Sequence, residues 1–136
     1  MMKKMLLLAA TFCMVACQPS EEQKAAPLMH RIDSLYQHKA YLQTLNAIRQ
    51  LRQEHPQAVE ARRRALKIWQ EASLKMTQED IARTDSALQA TIRAFNAETN
   101  IGRRNRLGVK RDSLQVRFDA LCGTVRVIHK RQAENQ

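Results

Sequence analysis

Apolar residues recur every seven positions along the second half of the chain. Leu74, Ile81, Leu88 and Phe95 form one series, and Leu107, Leu114, Leu121 and Ile128 form another. Such a repeat marks a helix that buries one seam against a partner helix. Folding the chain at Ile101-Gly102 sets the two series in antiparallel register. Phe95 then meets Leu107, Leu88 meets Leu114, Ile81 meets Leu121 and Leu74 meets Ile128. Phe118 and Val125 widen the second stripe, and Ile92 and Trp69 extend the first. The pattern predicts long helices over 57–98 and 107–132, with a turn near 99–106. Asn100 and Gly102 tolerate a left-handed cap and supply the expected stop. Thr77-Gln-Glu-Asp80 has the form of a capping box, but the seven-residue phase runs through it. The first helix is therefore expected to be continuous, roughly 60 Å long at 1.5 Å per residue. Gly123, in mid-helix, implies close approach of another helix, since glycine there costs about 1 kcal/mol relative to alanine.

The preceding segment has a shorter pattern. Leu28, Ile32 and Leu35 share one helical face, with Pro27 suited to the helix start. Tyr41, Leu45, Ile48 and Leu51 form a second stripe. A turn is expected at His38-Lys39-Ala40, and Pro56 closes the pair. Good helix formers dominate the body and strand-like alternation is absent, so the class is all-α. The expected architecture is a short N-terminal helical hairpin followed by a long, coiled-coil-like antiparallel hairpin. Its short pair packs at the base near Ile68 and Trp69, within one domain over 28–136. Leu28, Ile32, Leu35, Tyr41, Ile48, Leu51 and Pro56 fall near the positions of a tetratricopeptide repeat, which the segment 28–56 resembles. The usual small residues are missing at Ile32 and Thr44. A single unit of that kind cannot bury its face without a packed neighbour.

At the other extreme of pattern stands the N-terminus. Lys3-Lys4 precede an uncharged run from Met5 to Ala16. That run is too short to cross a bilayer core of about 30 Å and has the form of a secretory signal peptide over 1–16. Met14, Val15 and Ala16 lead directly into Cys17. This resembles the lipobox of bacterial lipoproteins, although Met14 stands where leucine is commoner. The resemblance implies cleavage before Cys17, a diacylglycerol on its sulfur and often an amide-linked acyl chain such as palmitate. One chain alone is a marginal anchor, and two or three hold firmly. Cys13 would leave with the leader and Cys17 would be acylated, so Cys122 would remain without a disulfide partner. Residues 17–27 read as a flexible acidic tether. Ser20-Glu21-Glu22 within it resembles the short acidic signals that send some lipoproteins to the outer face of the outer membrane. Surface exposure is thereby favoured over the periplasmic face.

Chemistry adds little. His30, His38, His55 and His129 are scattered, with neither a metal-binding motif nor a Cys/His cluster. Asp80 and Asp85 share a helix and read as solvated carboxylates. Phosphate-binding loops and serine-nucleophile motifs are absent, and Cys122 reads as a packed thiol. No enzyme activity, cofactor, metal or small-molecule substrate is expected.

Charge changes the picture more. The full chain carries +10, and eight of those charges remain once Lys3 and Lys4 leave with the leader. Arg62, Arg63 and Arg64 mark the start of the long helix. Arg103, Arg104, Arg106, Lys110 and Arg111 put five cations in nine residues after the turn. Arg126, His129, Lys130 and Arg131 lie near the end. The leader argues against nucleic acid, and the basic stretch lacks aromatic residues for base stacking. The expected partners are the membrane, through the lipid, and either a protein or an anionic envelope polymer. Two roles fit: a lipid-anchored interaction or structural module, or a periplasm-facing assembly factor or chaperone. The latter rests on fold analogy.

Overall fold

The computed structural model describes residues 18–135; residues 1–17 and 136, including Cys17 and the leader, lie outside the described residues. Four helices follow one another: α1 (Glu21–Gln37), α2 (Tyr41–Glu54), α3 (Val59–Ala97) and α4 (Ile101–Glu134). The all-α architecture, with a short helix pair followed by a long helical hairpin, is the one expected.

The start of α1 differs from expectation. Residues 21–27 are helical rather than tether, and Pro27 lies inside the helix. Ser20 is the N-cap. Its Oγ accepts from the Gln23 N–H at 3.2 Å, and the Gln23 side chain accepts from the Ser20 N–H at 2.9 Å. This reciprocal capping box satisfies two donors that a helix start leaves open. Glu21 and Glu22 in the first turn complement the helix dipole. A proline in a helix interior gives up one backbone hydrogen bond. The cap, and burial of Ala25 in the core, hold the turn before it.

Glu22 also reaches α3. Its carboxylate accepts from the Glu60 N–H at 2.9 Å and the Ala61 N–H at 3.0 Å. The N-cap of α3 is Ala58, which offers no side-chain acceptor. A carboxylate from another helix does that work. Eleven residues later Asp33 pairs with Arg64. Farther along, the Tyr36 hydroxyl donates to Glu71 Oε2 at 2.8 Å. Burial, followed by that bond, pushes the Tyr36 pKa up to about 12. α1 and α3 therefore run in the same direction. Between α1 and α2 the expected turn forms at 38–40. Lys39 takes a left-handed φ of 58°, with Ala40 N–H donating to Leu35 O and Lys39 N–H to Tyr36 O. This is the Schellman closure usually made with glycine.

The core sits at this base. Ala25, Leu28, Met29 and Ile32 of α1 pack with Ala47, Ile48 and Leu51 of α2 and with Ala58, Ala61 and Ala65. Leu35, Ile68 and Trp69 close over them, near where the short pair was expected to dock. The alanines let three helices approach closely.

Beyond the base, α4 packs on α3 alone. α3 is unbroken through Thr77, whose hydroxyl donates to the Ser73 carbonyl at 2.8 Å instead of capping a new helix. The seam contains residues that the apolar repeat did not include. Thr77, Thr84 and Thr91 recur every seven residues and are buried, interleaved with Ile81, Leu88 and Phe95. On α4 a half-buried series runs through Leu107, Arg111, Leu114, Phe118, Leu121, Val125, Ile128 and Gln132, spaced alternately by four and three, with Gly108, Cys122 and Gly123 half-buried beside it. This is the seam expected from the leucines, with no α4 residue fully buried, and the antiparallel register is seen in Gly108 lying against Phe95 at one end and Gln132 beside Gln70 at the other.

The turn is shorter than the predicted 99–106. Only Glu98, Thr99 and Asn100 separate the helices, and α4 covers 101–134 rather than 107–132. Asn100 serves as N-cap of α4, accepting from the Arg103 N–H at 3.0 Å, and Gly102 lies in the first helical turn without positive φ. The stop thus comes from Asn100 capping the next helix rather than from a left-handed Gly102. The expectation for Gly123 is also corrected, because a Cβ there would meet nothing within 4 Å. Gly108 is the glycine that faces the other helix, where a Cβ would lie 3.4 Å from the Phe95 ring, in ordinary contact.

Two outcomes follow from these contacts. Glu22→Ala should destabilise the protein by about 1 kcal/mol, the usual worth of a helix cap, in urea unfolding followed by circular dichroism. Leu88→Ala, at a position 4% exposed, should cost about 2–5 kcal/mol. The matching change at Val116, 69% exposed, should stay within about 0.5 kcal/mol.

Candidate functional site

The end of the rod formed by residues 98–111 carries the densest positive charge. Glu98 is the turn's only carboxylate. It accepts from the Asn100 N–H at 2.9 Å and from Arg103 Nε at 3.0 Å and Nη2 at 3.3 Å. The Asn100 N–H, followed by Arg103, holds the Glu98 carboxyl below the usual carboxylate range. Arg104 and Arg111 both lie over Phe95, with guanidinium carbons 4.8 Å and 4.6 Å from the ring centroid. Arg111 also pairs with the adjacent Asp112 at 2.7 Å. Stacking fixes a guanidinium plane while leaving its edge donors free to meet an anion.

The five cations expected to act together therefore divide. Arg103, Arg104 and Arg111 are tied within the fold. Arg106 and Lys110 are exposed and make no ion pair among the described residues. The structure brings all five to one end of the rod. Fixed guanidiniums beside two free cations can attract phosphate or carboxylate groups.

The other expected residues take ordinary places. Asp80 pairs with Arg83, and Asp85 accepts from Gln89. Cys122 is a half-buried free thiol. His38 Nδ1 lies 2.7 Å from the Ser34 carbonyl. Among the described residues, no three His, Cys, Asp or Glu side chains gather as a metal site would require, and no helix is long and apolar enough to cross a membrane. Cys17, the expected lipid acceptor, lies outside the described residues.

Two features were not legible in the sequence. One is the Glu22 cap on α3, which joins residues 38 positions apart. The other is the position of Arg52, whose guanidinium lies 4.9 Å from the Trp69 ring centroid. Neither pair has a spacing that could have signalled it. Comparison of the chain with family models, curated proteins and solved structures found no match.

The depressed pKa of Glu98 has a defined sign. Its folded value lies below its unfolded one, so its contribution is present above the ordinary carboxylate range and is lost as pH falls through the lowered folded value. Glu98→Gln should flatten the acid side of the stability profile, measured by urea unfolding from about pH 6 down to about pH 2.

Proposed function

We propose that this protein is a lipid-anchored cell-envelope lipoprotein of the outer membrane, acting as a helical interaction module. Cys17 is the acylated residue, and the basic end of the rod is the contact for an anionic envelope component or an acidic patch of a protein partner. One observation carries the reading: the Ser20 cap, three residues after Cys17 in the sequence, lies at the opposite end of the molecule from the basic cluster. Only Gln18 and Pro19 separate Cys17 from the Ser20 cap, a span of at most about 11 Å when extended. Through Glu22, the start of α1 adjoins the start of α3. The 39 residues of α3 then carry the turn about 58 Å away. A lipid on Cys17 holds the base at the membrane, and the rod presents Arg106 and Lys110 beyond it.

The residues that resemble an acidic export signal have partners in the fold. Ser20 caps α1, Glu21 pairs with Lys24 at 2.8 Å and Glu22 caps α3. The choice of membrane face therefore falls to protease accessibility on intact cells.

Cys17→Ala should abolish labelling by radioactive palmitate and release the protein from the outer-membrane fraction. Continued acylation would defeat the anchor. Separately, the Arg106→Gln/Lys110→Gln variant should bind purified lipopolysaccharide at least tenfold more weakly at low salt. The gap should narrow at physiological ionic strength, where exposed charges are screened over about 8 Å. Equal binding by variant and parent at both salts would leave these cations as solvated surface.

A further inference from the structure

A second surface lies near the base, on a different part of α3. α2 and α4 both pack on α3 but do not pack on each other. Between them runs a cleft of about 440 Å³. Leu66, Trp69, Val127 and Ile128 supply its apolar lining, and Arg52 and Arg131 stand on it from α2 and α4 respectively. The other lining residues are uncharged, so the cleft contains two cations and no carboxylate. Neither arginine makes an ion pair among the described residues. Val127 is 53% exposed on the α4 side of the cleft, so its apolar surface is open to an occupant.

We propose that this cleft binds an amphipathic helix whose apolar face is bordered by carboxylates. Three properties select that occupant. The slot lies between two helices that share a floor, so a third helix laid on α3 would touch both. The apolar lining extends from α3 onto α4, matching anchors at the helical spacing of three and four residues. Arg52 and Arg131 come from opposite sides, so carboxylates on both borders of a bound helix meet charge-assisted donors. A fatty acid fits less well, since it brings one carboxylate to two arginines and leaves its chain in an open cleft. The site is independent of the lipid anchor and the basic tip, and its failure would leave both untouched.

The test uses the chain without residues 1–17, which retains all four helices and the described core, after its helicity is confirmed by circular dichroism. The probe is a labelled peptide of about 16 residues, with leucines at the i, i+3/i+4 and i+7 spacing and glutamates beside them; a twin carries lysine for each glutamate. Binding is read from label anisotropy and from the emission of Trp69, the chain's single tryptophan. The acidic peptide should bind saturably and shift the Trp69 emission, and the lysine twin should bind at least tenfold more weakly. Arg131→Gln and Val127→Asp should each weaken the acidic peptide at least tenfold, while Arg117→Gln, at an exposed position of α4 outside the cleft, should leave it unchanged. No saturable binding, equal binding of the twins, or equal loss in the Arg117→Gln variant would overturn the proposal. Displacement of the peptide by dodecanoate at lower concentration than by unlabelled peptide would assign the cleft to a fatty acid and overturn it as well.

Discussion

The carboxylate of Glu22 on the first turn of α3 sets the arrangement of the base. A helix start leaves up to four N–H groups without partners, and Ala58 at the N-cap cannot serve them. Glu22 satisfies two of these groups and places negative charge at the positive end of the helix dipole. Because Glu22 is itself in the first turn of α1, the two helices must begin side by side. Asp33–Arg64 and Tyr36–Glu71 then hold them along a shared direction. α2 returns the chain to the start of α3 in 14 residues. The small side chains of Ala47, Ala61 and Ala65 leave room for three helices around one core.

Past that core the rod has only two helices, and its stability comes from different sources. Half-buried leucines on α4 face a strip of α3 in which threonine alternates with larger apolar residues. Thr77 and Thr91 donate to their own helix at Ser73 and Ala87, so their hydroxyls enter the seam already satisfied. With no third layer at the far end, local devices close the hairpin. Asn100 caps α4, Glu98 clamps Arg103, and Arg104 and Arg111 cover Phe95. A region with few buried apolar contacts opens more readily than a packed base. The same arginines that give this end its charge therefore also hold it together.

The two cationic surfaces differ in chemistry. At the tip, charge stands on an exposed turn with no apolar cleft, a setting for diffuse attraction to anions that weakens with salt. In the Trp69 cleft, two arginines from different helices flank an apolar lining. Burial of a partner's apolar face there supplies affinity, and the arginines supply selectivity for carboxylates.

The seven-residue repeat of leucines by itself determined the hairpin, its antiparallel register and its continuity through Thr77. A period of seven leaves a helix only one seam to bury, and the turn expected at Ile101-Gly102 selects one of the alignments, seven residues apart, that the two series permit. Leu28, Ile32, Ile48 and Leu51 likewise announced the short pair, and five of the basic residues marked one end of the rod. Tertiary structure decided what spacing along the chain does not encode. Residues 21–27 had the composition of a tether and became helix, because Glu22 meets backbone N–H groups 38 and 39 residues away and Ala25 is buried by neighbours from other helices. Thr77, Thr84 and Thr91 look polar in sequence and lie in the seam, where the hydroxyls of Thr77 and Thr91 turn back to their own helix. Gly123 and Gly108 are indistinguishable in the sequence. Only the position of the Phe95 ring shows that Gly108 is the one in contact across the hairpin, since such a contact depends on what the opposite helix places there.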